Sequence, residues 1–193
     1  MQNSKIYTIF AGINGAGKST LFAMDKSQDF GVRLNSDEIV KNNGQDWKDV
    51  KAQIEAGKEI IRLQNECFEK GLSLNRETTL SGNNIVESVK TAKQLGYVIR
   101  LRYVGVSSSE IAKKRIAKRI ALGGHGVSDD TVDRRFDRSI ENFKKVYELC
   151  DTVNIFDNSG ESMILVAYSK NGQIIRTETE CKWCDELLEN IYK

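Results

Sequence analysis

Eight consecutive residues constrain this chain more than any others: Gly12-Ile13-Asn14-Gly15-Ala16-Gly17-Lys18-Ser19. They follow the short, β-rich run "KIYTIFA" and lead into "KSTLFAMD", which can start a helix at the lysine. The spacing fits G-x-x-x-x-G-K-[ST], in the strand-to-helix setting that this pattern requires. Glycines let backbone N–H groups converge on phosphate oxygens, and the helix N-terminus adds partial positive charge. A lysine at position 18 reaches the β- and γ-phosphates of a bound nucleotide, and the Ser19 hydroxyl can ligate Mg²⁺. Gly12, Asn14, Gly15, Ala16, Gly17, Lys18, Ser19 and Thr20 are therefore the expected binding residues for ATP or GTP, with Ser19 the expected ligand of Mg²⁺.

A strand followed by a phosphate loop belongs to an α/β protein, and the remaining pattern agrees. "VRLNSDEIVKN" reads as a brief strand running into a helix with Ser36 as its cap. From Trp47 to Lys70, Val50, Ile54, Ile61 and Phe68 recur at helical spacing, with Ile60 and Cys67 beside them. "LSLNRETTL" is a strand breaking into a loop, and a helix over about Asn84 to Leu95 precedes the strand "YVIRLRYVGV". Helical patterns over Ser108–Leu122 and Ser128–Leu149 flank "GGHGVS". "DTVNIFDNSG" supplies a further strand and turn, "SMILVAYSKNGQIIRTE" a hairpin across Lys170 to Gly172, and residues 181–192 a C-terminal helix. Alternating strands and helices predict a mostly parallel, five-stranded sheet with helices on both faces, in one domain spanning 1–193.

Composition narrows the class. Charged residues at 29% and hydrophobic residues at 39% suit a water-soluble chain, and no apolar run approaches the roughly 20 residues of a membrane helix. The N-terminus has no small-residue cleavage site and reads as a first strand, so a cytoplasmic location is expected. The four cysteines are expected as reduced thiols; Cys181 and Cys184 lack the second ligand pair of a zinc site and fall at the start of the C-terminal helix. A net charge of +2 and the absence of aromatics interleaved with the basic residues give no reason to expect nucleic acid or a membrane as partner.

A phosphate cradle does not fix the fate of the γ-phosphate. Switch-type nucleotidases add a carboxylate at a strand end that binds Mg²⁺ and residues that orient water, whereas kinases add an acceptor site and a lid. "YVIRLRYVGV" ends without a carboxylate, and Asp157 in "VNIFD" comes late in the chain. Asp37 falls at the end of the second strand, placed to take a proton from an acceptor hydroxyl or to hold Mg²⁺ through water; the plain alternative is a first-turn acid on a helix. Glu77, followed by Thr78, Thr79, Ser81 and Asn83, forms a polar cluster suited to a hydroxylated acceptor or to a solvated loop. Arg115 and Arg119 share one helix face, as do Arg134 and Arg138 on the next. Joined by the glycines at 123, 124 and 126, they form a lid over about 115–135 or a solvated basic face. His125, the one histidine, reads as a loop residue or hinge.

"GINGAGKST", "NSDEI", "ETTLSG" and "RIALGGHGVSDDTVDRRFDRSIENF", in that order, resemble the zeta toxin family of P-loop kinases, especially its compact bacterial branch. The resemblance covers roughly residues 5–160 and implies the nucleotide-kinase type of the P-loop nucleoside triphosphate hydrolase fold. Family members studied as toxins phosphorylate UDP-N-acetylglucosamine at the sugar's 3'-hydroxyl and are held inactive by a small antitoxin. On that resemblance Lys18 and Ser19 match the phosphate and Mg²⁺ positions, and Asp37 the general base. Glu77 with Thr78 or Thr79 matches the substrate-binding pair, Arg119 with Arg134 or Arg135 the lid arginines, and Asn158 the adenine-flanking segment. Asn14 and Ser128 stand where relatives often carry proline. Other acceptors compatible with the residues are a different sugar, a nucleoside or a polynucleotide 5'-hydroxyl; the competing class is a nucleotide-dependent switch.

Overall fold

The computed structural model describes residues 4–25, 28–170 and 173–189. In chain order the elements are β1 (Ile6–Ala11), α1 (Lys18–Met24), β2 (Val32–Leu34), α2 (Ser36–Asn42), α3 (Val50–Lys70), β3 (Leu74–Thr78) and α4 (Asn83–Gln94). There follow β4 (Val98–Gly105), α5 (Ser109–Ala121), α6 (Asp129–Tyr147), β5 (Thr152–Asp157), β6 (Ile164–Lys170), β7 (Gln173–Arg176) and α7 (Lys182–Glu189). The turn residues 171–172 and the end of the expected C-terminal helix lie outside the described residues.

The sheet has the order β2-β3-β1-β4-β5-β6-β7. Its first five strands are parallel, and β6 and β7 run antiparallel. Seven strands therefore stand where five were expected. The C-terminal hairpin was legible, but it does not stand apart: β6 pairs with the open edge of β5 and covers backbone groups that a five-stranded sheet would leave unpaired. Strand β1 lies at the centre, and Tyr7, Ile9, Phe10 and Ala11 are fully buried because helices cover both faces. One apolar cluster joins Tyr7, Ile9, Leu74, Ile99 and Leu101 to α3, α4, α6 and α7; a second joins Phe10 and Val104 to Ile116 and Val132 of α5 and α6.

The chain enters β2 and then β3 on one side of β1 and crosses to β4 on the other. The carboxyl end of β1 is thus a switch point, where open α/β sheets leave a crevice. Registers Ala11↔Thr78 and Ala11↔Tyr103 bring the loops after β1, β3 and β4 to the same edge.

Two local readings change. Helix α3 starts at Val50 because Asp49 caps it, accepting a hydrogen bond from Lys51 N at 2.8 Å. Its buried face is Ala52, Ala56, Ile60, Gln64, Cys67 and Phe68, while Val50, Ile54 and Ile61 are 68%, 55% and 43% exposed. Two alanines let α2 approach closely, packing Val40 against Ala52 and Ala56, and that contact sets the helix phase against the bulkier stripe. The cap of α2 is Asn35, not Ser36: the Asn35 side chain accepts from Asp37 N at 2.9 Å and Glu38 N at 3.4 Å, and Ser36 is the first helical residue. Replacing Asn35 by Ala is expected to cost about 1–2 kcal/mol in chemical denaturation, whereas Ser36→Ala is expected to stay within about 0.5 kcal/mol of the parent. Equal costs would return the cap to Ser36.

Candidate active site

The loop from Gly12 to Gly17 turns tightly at the end of β1. Gly12 has φ 137, and a Cβ there would lie 2.1 Å from the Val104 carbonyl oxygen, so only glycine lets the loop sit against β4. The loop delivers Lys18, the first residue of α1, to a buried position where Nζ donates to Ile13 O at 3.0 Å and lies 4.0 Å from Glu77 Oε1. Burial lowers the Lys18 pKa from its ordinary value; Glu77 and Asp37 oppose the shift, and Arg119 and Arg135 add to it.

Glu77, at the end of β3, collects donors from three directions. Its Oε1 accepts from Ser19 Oγ at 2.8 Å, and its Oε2 accepts from Arg33 Nη2 at 2.6 Å and Asn35 Nδ2 at 3.0 Å. Arg33 is further fixed by Glu38 and by the Phe22 ring, whose centroid is 3.7 Å from its guanidinium carbon. Sequence reasoning assigned Glu77 to an acceptor; the structure sets it against the hydroxyl of Ser19. Ser19 and Glu77 present hard oxygens beside the phosphate loop, which fits Mg²⁺, an ion held by one or two protein oxygens plus substrate phosphates.

The loop after β3 bends at Leu80, fully buried with φ 58, a left-handed conformation uncommon outside glycine. Thr78 Oγ1 accepts from Leu80 N at 3.1 Å, Thr79 shares a hydrogen bond with Ser81, and Asn142 of α6 donates to Leu80 O at 2.9 Å. Helix α6 therefore holds both this loop and Arg135, whose Nη1 donates to Asn14 Oδ1 at 2.6 Å. Arg134, the adjacent candidate, is exposed and lines neither cavity described below.

Two cavities open along this edge. One, of about 480 Å³, is lined by Asn14, Gly15, Gly17, Lys18, Ser19 and Thr20, with Arg115, Arg119 and Asn158 opposite. The other, of about 240 Å³, is lined by Thr78, Thr79, Trp47, His125 and Arg135 among others. Asn14, Lys18, Asp37 and Glu77 line both and form their common wall. Gly12 and Ala16 line neither cavity: Gly12 packs against Val104, and Ala16 accepts through its carbonyl from Asn158 Nδ2 at 2.7 Å. Among the described residues, four buried side-chain polar atoms have no hydrogen-bond partner, and three are guanidinium nitrogens: Arg115 Nη1, Arg119 Nε and Arg119 Nη2. Buried, unpaired donors of positive charge around a glycine cradle fit a polyphosphate, which accepts from all of them.

Sequence reasoning missed Asn35, which binds Glu77, and Trp47, which walls the smaller cavity. It read His125 as a loop residue or hinge; the structure keeps it in the loop between α5 and α6 and sets its Nε2 3.5 Å from Asp37 Oδ2. Asp157, at the end of β5, is not a free carboxylate: its Oδ1 accepts from Trp183 Nε1 at 2.8 Å and from Ser159 N at 3.1 Å.

A mostly parallel sheet of this order, with a phosphate loop on its central strand and two arginine-bearing helices over it, defines a P-loop phosphotransferase of the nucleotide-kinase type. The chain belongs to the zeta toxin family, whose model matches residues 1–170. An uncharacterised protein of Haemophilus influenzae is 37% identical over 139 residues, covering 70% of this chain and 94% of that protein. Among solved structures, AvrRxo1-ORF1:-ORF2 with ATP superposes with TM-score 0.66 at 16% identity over 97% of this chain, which spans 63% of the length of the chain it matches. The PezAT chromosomal toxin–antitoxin system of Streptococcus pneumoniae gives TM-score 0.61 at 16% identity, covering 99% of this chain and 85% of that one. A putative kinase from Chloroflexus aurantiacus gives 0.52 at 21% identity, over 71% and 80%. Among the described residues no helix is long and apolar enough to cross a membrane.

Glu77→Gln keeps the shape of the hub but removes its charge toward Arg33 and Lys18. It is expected to lower stability by about 2 kcal/mol, a Tm decrease of about 4–8 °C in thermal unfolding. An unchanged Tm would mean that the hub contributes nothing to folding.

Proposed function

We propose that this protein is an ATP-dependent kinase that transfers the γ-phosphoryl group to a hydroxyl of a small acceptor. The observation that carries this reading is the pair of cavities with one shared wall. A polyphosphate cradle and a second polar cleft meet at Lys18, Asp37 and Glu77, the arrangement a two-substrate transfer needs and a hydrolase does not. In-line attack joins the acceptor oxygen to phosphorus as the bond to the departing ADP oxygen breaks, and the hydroxyl proton passes to Asp37. Lys18 and the guanidinium groups of Arg119 and Arg135 balance negative charge spread over the transferring group. Ser19 would hold a magnesium ion, with Glu77 orienting the serine hydroxyl, and the ion would supply charge neutralisation to the phosphates. Thr78 and Thr79 hydrogen-bond the acceptor, and Asn158 flanks the adenine.

UDP-N-acetylglucosamine is the first acceptor we propose, on the family's precedent, with a small antitoxin protein as a partner, as in the toxin–antitoxin system to which the PezAT structure belongs. We read the chain as one kinase domain, 1–193, working in the cytoplasm, with a lid over about 115–135.

The test incubates purified protein with Mg²⁺ATP and UDP-N-acetylglucosamine and follows ADP release and the acceptor's mass. Gain of one phosphoryl group is expected. Slow hydrolysis with an unchanged sugar nucleotide would remove that acceptor, and ADP release indifferent to every hydroxyl acceptor but responsive to a protein would favour a switch. Lys18→Ala is expected to abolish transfer. Asp37→Asn is expected to retain ATP binding while lowering turnover by about 10²–10⁴-fold; undiminished turnover would leave Asp37 as a helix-terminal acid.

A further inference from the structure

The connection between α5 and α6 is shaped to place one side chain. Gly123 adopts φ 79, and Gly124 lies so close to Arg119 that a Cβ would come within 2.7 Å of its Cγ. At Gly126 a Cβ would fall 2.4 Å from Ile120 Cδ1 and 3.0 Å from Trp47 Cη2, so the loop is fitted onto the ring of Trp47. Between these glycines, His125 presents its ring edge-on to Trp47, with centroids 5.3 Å apart, and its Nε2 3.5 Å from Asp37 Oδ2. The His125 side chain is 20% exposed and that of Asp37 is 48% exposed.

Asp37 needs such a neighbour. It sits in the first turn of α2, where its backbone N–H is held by Asn35. Among the described residues His125 supplies the one basic nitrogen within ion-pairing distance of its carboxylate, with Lys18 and Arg135 acting on it from farther off. A half-exposed aspartate without a hydrogen bond to its carboxylate samples several rotamers, and a proton acceptor in the wrong rotamer is out of line with the hydroxyl.

We infer that His125 is a positioning residue, by which the lid orients the Asp37 carboxylate toward the acceptor. The inference rests on Asp37 being the proton acceptor. The groups facing His125 are Asp37 from α2, Lys18 from α1, Arg119 from α5 and Arg135 from α6. Burial, reinforced by the three cations and opposed by Asp37, lowers the imidazole pKa from its ordinary value. At neutral pH the ring is then neutral, and at 3.5 Å its Nε2 stands just beyond a hydrogen bond to Asp37 Oδ2; a small closing movement lets an Nε2–H donate to that carboxylate oxygen. His125 reaches Asp37 from the same segment that carries Arg119 and leads to Arg135. Closure on the nucleotide and orientation of the acceptor's base are thereby one movement.

The sequence contains one histidine, so its ring C–H proton resonances identify themselves. At fixed pH they are expected to move in Asp37→Asn and to hold in Glu141→Gln, a helix-surface control. In steady-state kinetics His125→Ala is expected to lower kcat by about 10- to 100-fold with the KM for ATP unchanged, and His125→Gln, whose amide can donate to the same oxygen, to recover most of it. Resonances unmoved by Asp37→Asn overturn the inference. So do equal losses in the Ala and Gln variants with ATP affinity falling in step, which mark a loop residue of structural importance only. Full turnover in His125→Ala alongside lost turnover in Asp37→Asn overturns it while the kinase reading stands; full turnover in Asp37→Asn overturns both.

Discussion

The site depends on one carboxylate. Glu77 ends β3, yet its two oxygens hold Ser19 from the first turn of α1, Arg33 from β2 and Asn35 from the entry of α2. Three adjoining elements are thereby fixed relative to one another at the edge where β1 opens into its phosphate loop. Asn35 connects this to the acceptor side, because the residue that donates to Glu77 also accepts from Asp37 N and so fixes the backbone that carries the proposed base. Arg33 and Glu77 are both largely buried, so their pairing matters less as net stabilisation than as a penalty on breaking it: either partner alone would be an uncompensated charge.

Around that hub the positive charge exceeds what the protein itself satisfies. Lys18, Arg115, Arg119 and Arg135 converge with two carboxylates, Asp37 and Glu77, among them. Burial lowers the pKa of Lys18 and of Arg135, and Arg115 and Arg119 keep buried nitrogens without acceptors. A structure arranged this way leaves electrostatic work for a ligand. A polyanion that enters stabilises the packing of α5 against α6 by more than its own contacts, because it satisfies donors that are otherwise buried and unpaired.

What the sequence revealed followed from how locally each feature is encoded. The phosphate loop is eight consecutive residues, so it was readable outright, and the order of strands and helices followed from periodicity. The phase of a helix is not local. Two small residues, Ala52 and Ala56, outweigh the more conspicuous Val50, Ile54 and Ile61 on α3, because close packing against α2 decides which face turns inward. The same question separated Arg135 from Arg134, and a signal was available: Val132, Ser139, Asn142 and Phe143 form the buried stripe of α6, and Arg135 is three residues after its first member and four before its second. Contacts between distant residues, such as Asn35 to Glu77 or His125 to Asp37, left no trace in spacing. The pairing of β6 with the edge of β5 was equally hidden, since a hairpin pattern does not say what lies beside it.

The last part of the chain shows how far the site extends from its motifs. The family match ends at residue 170, but α7 lies beyond it and reaches back. Trp183 packs so closely on Gly105 that a Cβ there would fall 2.2 Å from its ring, and its Nε1 donates to Asp157. Asp157 in turn accepts from Ser159, Ser159 Oγ accepts from Ser107 N, and Asn158 binds Gly105 O through its backbone N–H and Ala16 O through its side chain. The segment after β5 is thus held between the C-terminal helix and the phosphate loop. A carboxylate that from sequence alone invites comparison with a metal ligand is, in the fold, the anchor that sets Asn158 against the cradle. The indole requires glycine at 105, just as the carbonyl of Val104 requires glycine at 12, so the β1 and β4 ends are each shaped by the neighbour that presses on them.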